Sequence, residues 1–153
     1  GTGLSNRLVD RLRQKEGLSY GVGSHVKLPQ FGNRSSWMMS AIVAPQNLPK
    51  AEACAKEEIA RAVKDGFTEQ EVKEAVKGIL DSRAVNRAQD DYLAQSWLQF
   101  MEAGKTFAFS KQFEERIAAV TVDSVNAALR RMVVPENVTW ILSGDLAKAG
   151  LKK

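Results

Sequence analysis

Apolar positions along the chain change their period several times, and each change marks an element. Between Gly3 and Gly17, Leu4, Leu8 and Leu12 fall at i, i+4 and i+8 with Arg7, Arg11 and Lys15 off that stripe, which predicts an amphipathic helix stopped by Gly17. From Leu18 the period becomes two. Tyr20, Val22, Ser24 and Val26 share one face of a predicted strand, with Gly21, Gly23 and His25 on the other. A turn is predicted over Gln30 to Asn33, then a second strand over Ser35 to Val43, with Trp37, Met39, Ala41 and Val43 on one face and Met38 and Ile42 on the other. Together they read as a hairpin.

Helical spacing returns at Asn47, where Ala51, Ala55, Ile59, Ala62 and Val63 line one face up to Gly66. Thr68 and Glu71 have the spacing of a capping box, so a further helix starts at Glu69 and carries Val72, Val76, Ile79 and Leu80. The polar stretch Arg83 to Asp91 bends or breaks it before Leu93, Trp97, Leu98 and Met101 resume the pattern up to Gly104. Phe113, Ile117 and Val120 mark a short helix. Thr121 caps another, with Val125, Leu129 and Met132 inward and Pro135 beyond its end, and Val138 to Leu142 reads as a final strand. The order helix, two strands, several helices, one strand is that of an α+β fold, an antiparallel sheet with helices packed on one face.

Composition narrows the chemistry. The 153 residues suffice for a single domain and are 44% apolar. The 22 Lys and Arg are interleaved with 18 Asp and Glu, so the net charge of +4 forms no basic stripe, and nucleic-acid binding is disfavoured. No apolar run reaches the roughly 18 residues of a membrane span. One cysteine, Cys54, forbids an intrachain disulfide, and one histidine, His25, leaves too few donors for a catalytic zinc site built from histidine and cysteine. His25 reads as an ordinary strand residue and Cys54 as a small buried one on a helix face. Glu16, Asp90 and Asp91 read as solvated helix-end carboxylates. Trp37, Trp97 and Trp140 read as core or subdomain-packing residues. KTFAF, Lys105 to Phe109, is apolar for a loop and serves either as core or as a packing surface for a neighbouring subdomain.

One stretch carries more. LSNRLVDRLRQKEGLSYGVGS, Leu4 to Ser24, resembles the helix-to-strand signature of the pitrilysin/insulinase family of zinc metallopeptidases, in the non-zinc second subdomain of each half. The likeness continues through the helix opened at Thr68, the break near Arg83 to Asp91, and FEERIAAVTVDSVNAALRRMVVPENVTWILSGDL, Phe113 to Leu146. The resemblance implies a clam-shell protease in which two halves close around a chamber. The zinc belongs to a partner half carrying His-x-x-Glu-His, on the same polypeptide or a separate subunit, and this chain lacks that motif. GTGLSNRL resembles the glycine-rich lead-in to the first helix, which implies that residues 1–153 form one non-catalytic subdomain without its N-terminal part.

The same resemblance maps a substrate-contacting arginine and tyrosine onto Arg13 and Tyr20. A phenol O–H donates to the oxyanion that forms as water attacks a peptide carbonyl, and losing one such donor typically costs about 2.7–4 kcal/mol of barrier. A guanidinium holds substrate carbonyls or carboxylates with a planar fork of donors. Taken alone, an arginine and a tyrosine across a helix–strand junction are ordinary surface residues. The expectation is therefore a domain of a zinc metalloendopeptidase, inactive by itself, that walls the chamber and touches the peptide. The alternatives are a structural subunit resembling respiratory-complex core proteins, or a peptide-binding module using an exposed strand edge. The general look of the family points to a bacterial periplasm or envelope.

Overall fold

The computed structural model describes residues 3–27 and 35–151. Leu4–Val9 form α1, and the winding then widens into a π-helical turn over Asp10–Lys15. The strands are β1 (Ser19–Lys27) and β2 (Ser36–Val43). The helices α2 (Leu48–Asp65), α3 (Glu69–Asn86), α4 (Asp90–Glu102), α5 (Phe107–Ala118) and α6 (Val122–Met132) follow. The architecture is α+β, and the chain divides into two compact units, residues 1–66 with 126–153 and residues 67–125.

The first unit holds the buried core. Leu8 and Leu12 are fully enclosed and Leu4 nearly so, on the stripe the sequence marks. They pack with Ala51, Ala55, Ile59 and Ala62 of α2, whose small alanines let the helices approach closely. Cys54 is buried on the same face. Helix α2 ends at Gly66, whose φ of 75° favours glycine and whose Cβ, if present, would meet Asn126 at 2.7 Å. The Gly66 carbonyl accepts from Arg7 of α1 at 2.9 Å, so both helices are tied at that end.

Strands β1 and β2 pair antiparallel, with Val22 opposite Ala41, Ser24 opposite Met39 and Val26 opposite Trp37. On β2 the alternation is that of the sequence: Trp37, Met39, Ala41 and Val43 are half-buried, Met38 and Ile42 exposed. The turn expected at Gln30 to Asn33 lies outside the described residues. The strand expected at Val138 to Leu142 does not form: among the described residues the sheet has two strands, and this segment finds no ladder partner. High β-propensity alone does not make a strand when no edge receives its backbone. The segment instead lays Trp140 under the Lys56 ammonium of α2, 5.2 Å from the ring centre.

In the second unit Thr68 caps α3 as the sequence indicates: its hydroxyl accepts from the Glu71 N–H and the Glu71 carboxylate accepts from the Thr68 N–H. Helix α3 runs to Asn86 and α4 opens at Asp90, so the polar stretch is a break. Asp90 and Asp91 sit in the first turn of α4, where the helix dipole favours negative charge. Thr106 caps α5, placing Phe107 and Phe109 of KTFAF in its first turn. Trp97 is not enclosed. It is 46% exposed and stacks on Phe107, with ring centres 5.2 Å apart.

Candidate functional site

The junction between the π-helical turn and β1 is built from four devices. Widening after Val9 offsets the drift that straight α-helical winding gives a four-residue repeat, and keeps Leu12 on the line of Leu4 and Leu8. The Glu16 N–H donates to the Arg11 carbonyl at 3.2 Å, and the Leu18 N–H reaches back to the Leu12 carbonyl at 2.8 Å across Gly17, whose φ is +61°. A π turn inside a helix is uncommon and is often found at functional sites.

An ion-pair network then fastens the junction to α2. The Glu16 carboxylate meets the Arg11 guanidinium at 2.8 Å and the Lys50 ammonium at 2.9 Å, and Arg11 reaches Glu57 at 3.3 Å. The hydrogen bond from Lys50 and its charge hold the Glu16 carboxyl below its ordinary range, with Arg11 assisting and burial opposing. The same contact raises Lys50. Glu16, a solvated carboxylate by its sequence, is thus the bracket of the turn.

The third device changes where a side chain points. Register shifts between Ser19 and Gly21: Ser19 faces Val43 and Gly21 faces Ile42, which leaves Tyr20 as the extra residue of a β-bulge. Ser19 turns inward and is buried. Its hydroxyl lies 2.8 Å from the carbonyl oxygens of Gly21 and Ile42, donating to one at a time, and it accepts from the Gly21 N–H at 3.2 Å. Tyr20 turns outward and is 81% exposed. Strict alternation put Tyr20 on the face of Val22 and Ser24. The bulge reverses it, because one added residue shifts the side-chain phase by half a period.

Fourth, β1 is pinned to α1. The Ser24 N–H donates to the Ser5 hydroxyl at 2.9 Å, and the two hydroxyls lie 3.0 Å apart. That N–H therefore points away from β2.

Arg13 sits in the π-helical turn and is exposed. Arg13 and Tyr20 flank one braced junction, and no bond joins them. Among the described residues neither makes an ion pair or side-chain hydrogen bond, so the phenol O–H and the guanidinium fork are available to a ligand. His25 is exposed on β1. The donor set does not fit zinc: the sequence has one histidine and one cysteine, and among the described residues no three of His, Cys, Asp and Glu come together. Sequence reasoning missed Ser19, Ser5 and Lys50.

Comparison with known proteins agrees with this architecture. The sequence pattern of the peptidase M16 inactive domain matches residues 1–79, which include the whole junction. The non-peptidase homolog YmxG of Helicobacter pylori is 20% identical over 148 residues, which are 97% of this chain and 34% of that protein. The crystal structure of a peptidase M16 inactive domain from Pseudomonas fluorescens superposes with a TM-score of 0.68 at 22% identity, over 88% of this chain and 34% of that one. The periplasmic protease PqqL of Escherichia coli gives a TM-score of 0.70 at 20% identity, over 84% of this chain and 14% of PqqL. The chain thus spans about a third of the length of the first two proteins.

Proposed function

The chain belongs to the peptidase M16 inactive-domain family, and from that premise we propose that it is a non-catalytic domain of a zinc metalloendopeptidase, walling the substrate chamber and contacting the bound peptide through Arg13 and Tyr20. The observation that carries the reading is the bulge. A tyrosine that strand alternation would turn inward is held outward on a buried, hydrogen-bonded serine, and bulges beside active sites re-aim side chains in this way.

A partner half bearing His-x-x-Glu-His would hold the zinc, which would supply an activated water. As water adds to the scissile carbonyl, its oxygen gains negative charge, and the Tyr20 O–H donates to it. Arg13 orients the peptide through its carbonyls or a carboxylate. The Glu16–Lys50 and Ser5–Ser24 contacts set the helix turn and the strand before substrate arrives, so little reorganisation is needed during the reaction.

The test is cleavage of a quenched fluorescent peptide by this chain combined with its zinc-bearing half. With zinc content and fold intact, Tyr20→Phe is expected to lower kcat about a hundredfold, and Arg13→Ala to weaken kcat/KM. Wild-type turnover in both variants overturns the substrate-contact role. A second reading, a structural subunit that cleaves nothing, draws support from the non-peptidase name of the Helicobacter pylori relative. It predicts no turnover with the zinc-bearing half and a stable complex indifferent to either substitution.

A further inference from the structure

The second unit contains a cleft of about 180 Å³ between the end of α3, the inner face of α4 and the first turn of α5. All of its lining residues lie beyond residues 1–79, and it owes nothing to Arg13 or Tyr20. Its charge is unbalanced. Arg83 donates through Nε to Glu114 Oε1 at 2.9 Å and through Nη2 to the Ser110 hydroxyl at 2.9 Å, while Arg87 Nη1 donates to that same Glu114 oxygen. Two guanidiniums thus share one carboxylate, leaving one net positive charge on the lining. Arg87 uses only Nη1 among the described residues, so a face of its five-donor fork is open. The first turn of α5 carries no acidic residue, and its end adds partial positive charge.

Much of the remaining lining is aromatic. Phe100 meets Phe107 edge-on at 5.6 Å and Phe109 at 6.0 Å, and Phe109 stacks on Phe113 at 6.3 Å. Arg83 lies over the Phe113 ring at 5.2 Å, which fixes its guanidinium as well as satisfying it. Space and charge together select the ligand. A cavity of about 150 Å³ accommodates one benzene ring, so this cleft takes one ring-sized apolar group. A single surplus charge matches a monoanion, and a planar guanidinium fork matches a carboxylate.

We propose that this cleft is a binding site for a carboxylate borne on a ring-sized apolar group, the chemistry of a peptide ending in phenylalanine or a residue of similar size. The terminal carboxylate pairs with the free face of Arg87, and the side chain enters between Phe100, Phe107 and Phe113.

Fluorescence anisotropy with the full chain tests this, using a short N-terminally labelled peptide ending in phenylalanine as the free acid or the amide. The acid is expected to bind at least about tenfold more tightly than the amide, and Arg87→Gln to remove most of that preference. Unlabelled N-acetylphenylalanine separates the two sources of this chemistry. Competition far weaker than that of the unlabelled peptide supports a chain terminus as the ligand, and equal competition supports a free small acid in the same site. Equal binding of acid and amide, or no binding of the acid, overturns the proposal. So does an Arg87→Gln variant that keeps its helical circular dichroism and its full preference. If that variant unfolds, the wild-type comparison of acid and amide decides alone. Tyr20→Phe should bind the acid peptide as wild type does, so a failure here is distinguishable from a failure at the β1 junction.

Discussion

The two units keep themselves together by different means. In the first, Leu8, Leu12, Ile59 and Ala62 are shut away from water, and the polar groups beside them brace a junction. In the second, Val72 is the sole buried apolar residue among those described. Trp97, Leu98, Met101, Phe107 and Phe113 are all more than a third exposed. Ring stacking and the Arg83–Glu114–Arg87 cluster do there what burial does in the first. Burial gives a nondirectional, larger stabilisation, whereas ion pairs and stacked rings give smaller but directional contacts. The first unit is suited to holding a helix–strand junction in place, whereas the second leaves much of its apolar surface exposed.

The sharpest test of this contrast is Leu8→Ala, which opens a cavity in the first core. It should destabilise the protein by roughly 2–5 kcal/mol, seen as a lower denaturant midpoint and lost amide protection in α1 and α2. Equal loss across α3 to α5 would mean that the units unfold as one and that the contrast is not energetic. A smaller effect is expected from Glu114→Gln, which leaves two guanidiniums facing each other without their shared anion. About 1–3 kcal/mol is expected, confined in hydrogen exchange to α3, α4 and α5, and undisturbed protection there would show that stacking alone suffices.

The smallest effect concerns pH. Because Glu16 titrates lower in the folded chain than in the unfolded one, its contribution is complete above the unfolded carboxylate value near about 4.3 and is lost as pH falls through the folded value. Lys50 is raised, so its contribution is complete below the unfolded lysine value of about 10.4 and is lost as pH rises through the folded one. Urea midpoints of wild type and Glu16→Gln should therefore differ by a constant amount near neutrality and converge in acid. Parallel curves down to low pH would remove Glu16 from the bracket.

Local rules made much of this legible. The leucine stripe at Leu4, Leu8 and Leu12, the capping box at Thr68 and Glu71, the stop at Gly66 and the alternation of β2 each depend on residues a few positions apart, and each is present. What escaped depends on pairing across the chain. The bulge is a property of two strands, so the run from Leu18 to Val26 could not reveal which residue is extra. Val138 to Leu142 has the residues of a strand but, among the described residues, pairs with neither strand. Arg83 and Glu114 meet across 31 positions of sequence, which no periodicity registers. The candidate pair was named through the resemblance of Leu4 to Ser24 to a known signature, which could not foretell the outward aim of Tyr20.

The bulge also separates two kinds of inheritance. The ladder from Gly21 to Lys27 is set by its partners on β2 and by Ser19 beneath it, and none of those contacts involves the side chain at position 20. That position is a socket: its occupant can be exchanged while the wall around it keeps its shape. Exchange of the side chain at position 20 therefore leaves every contact that sets the ladder in place.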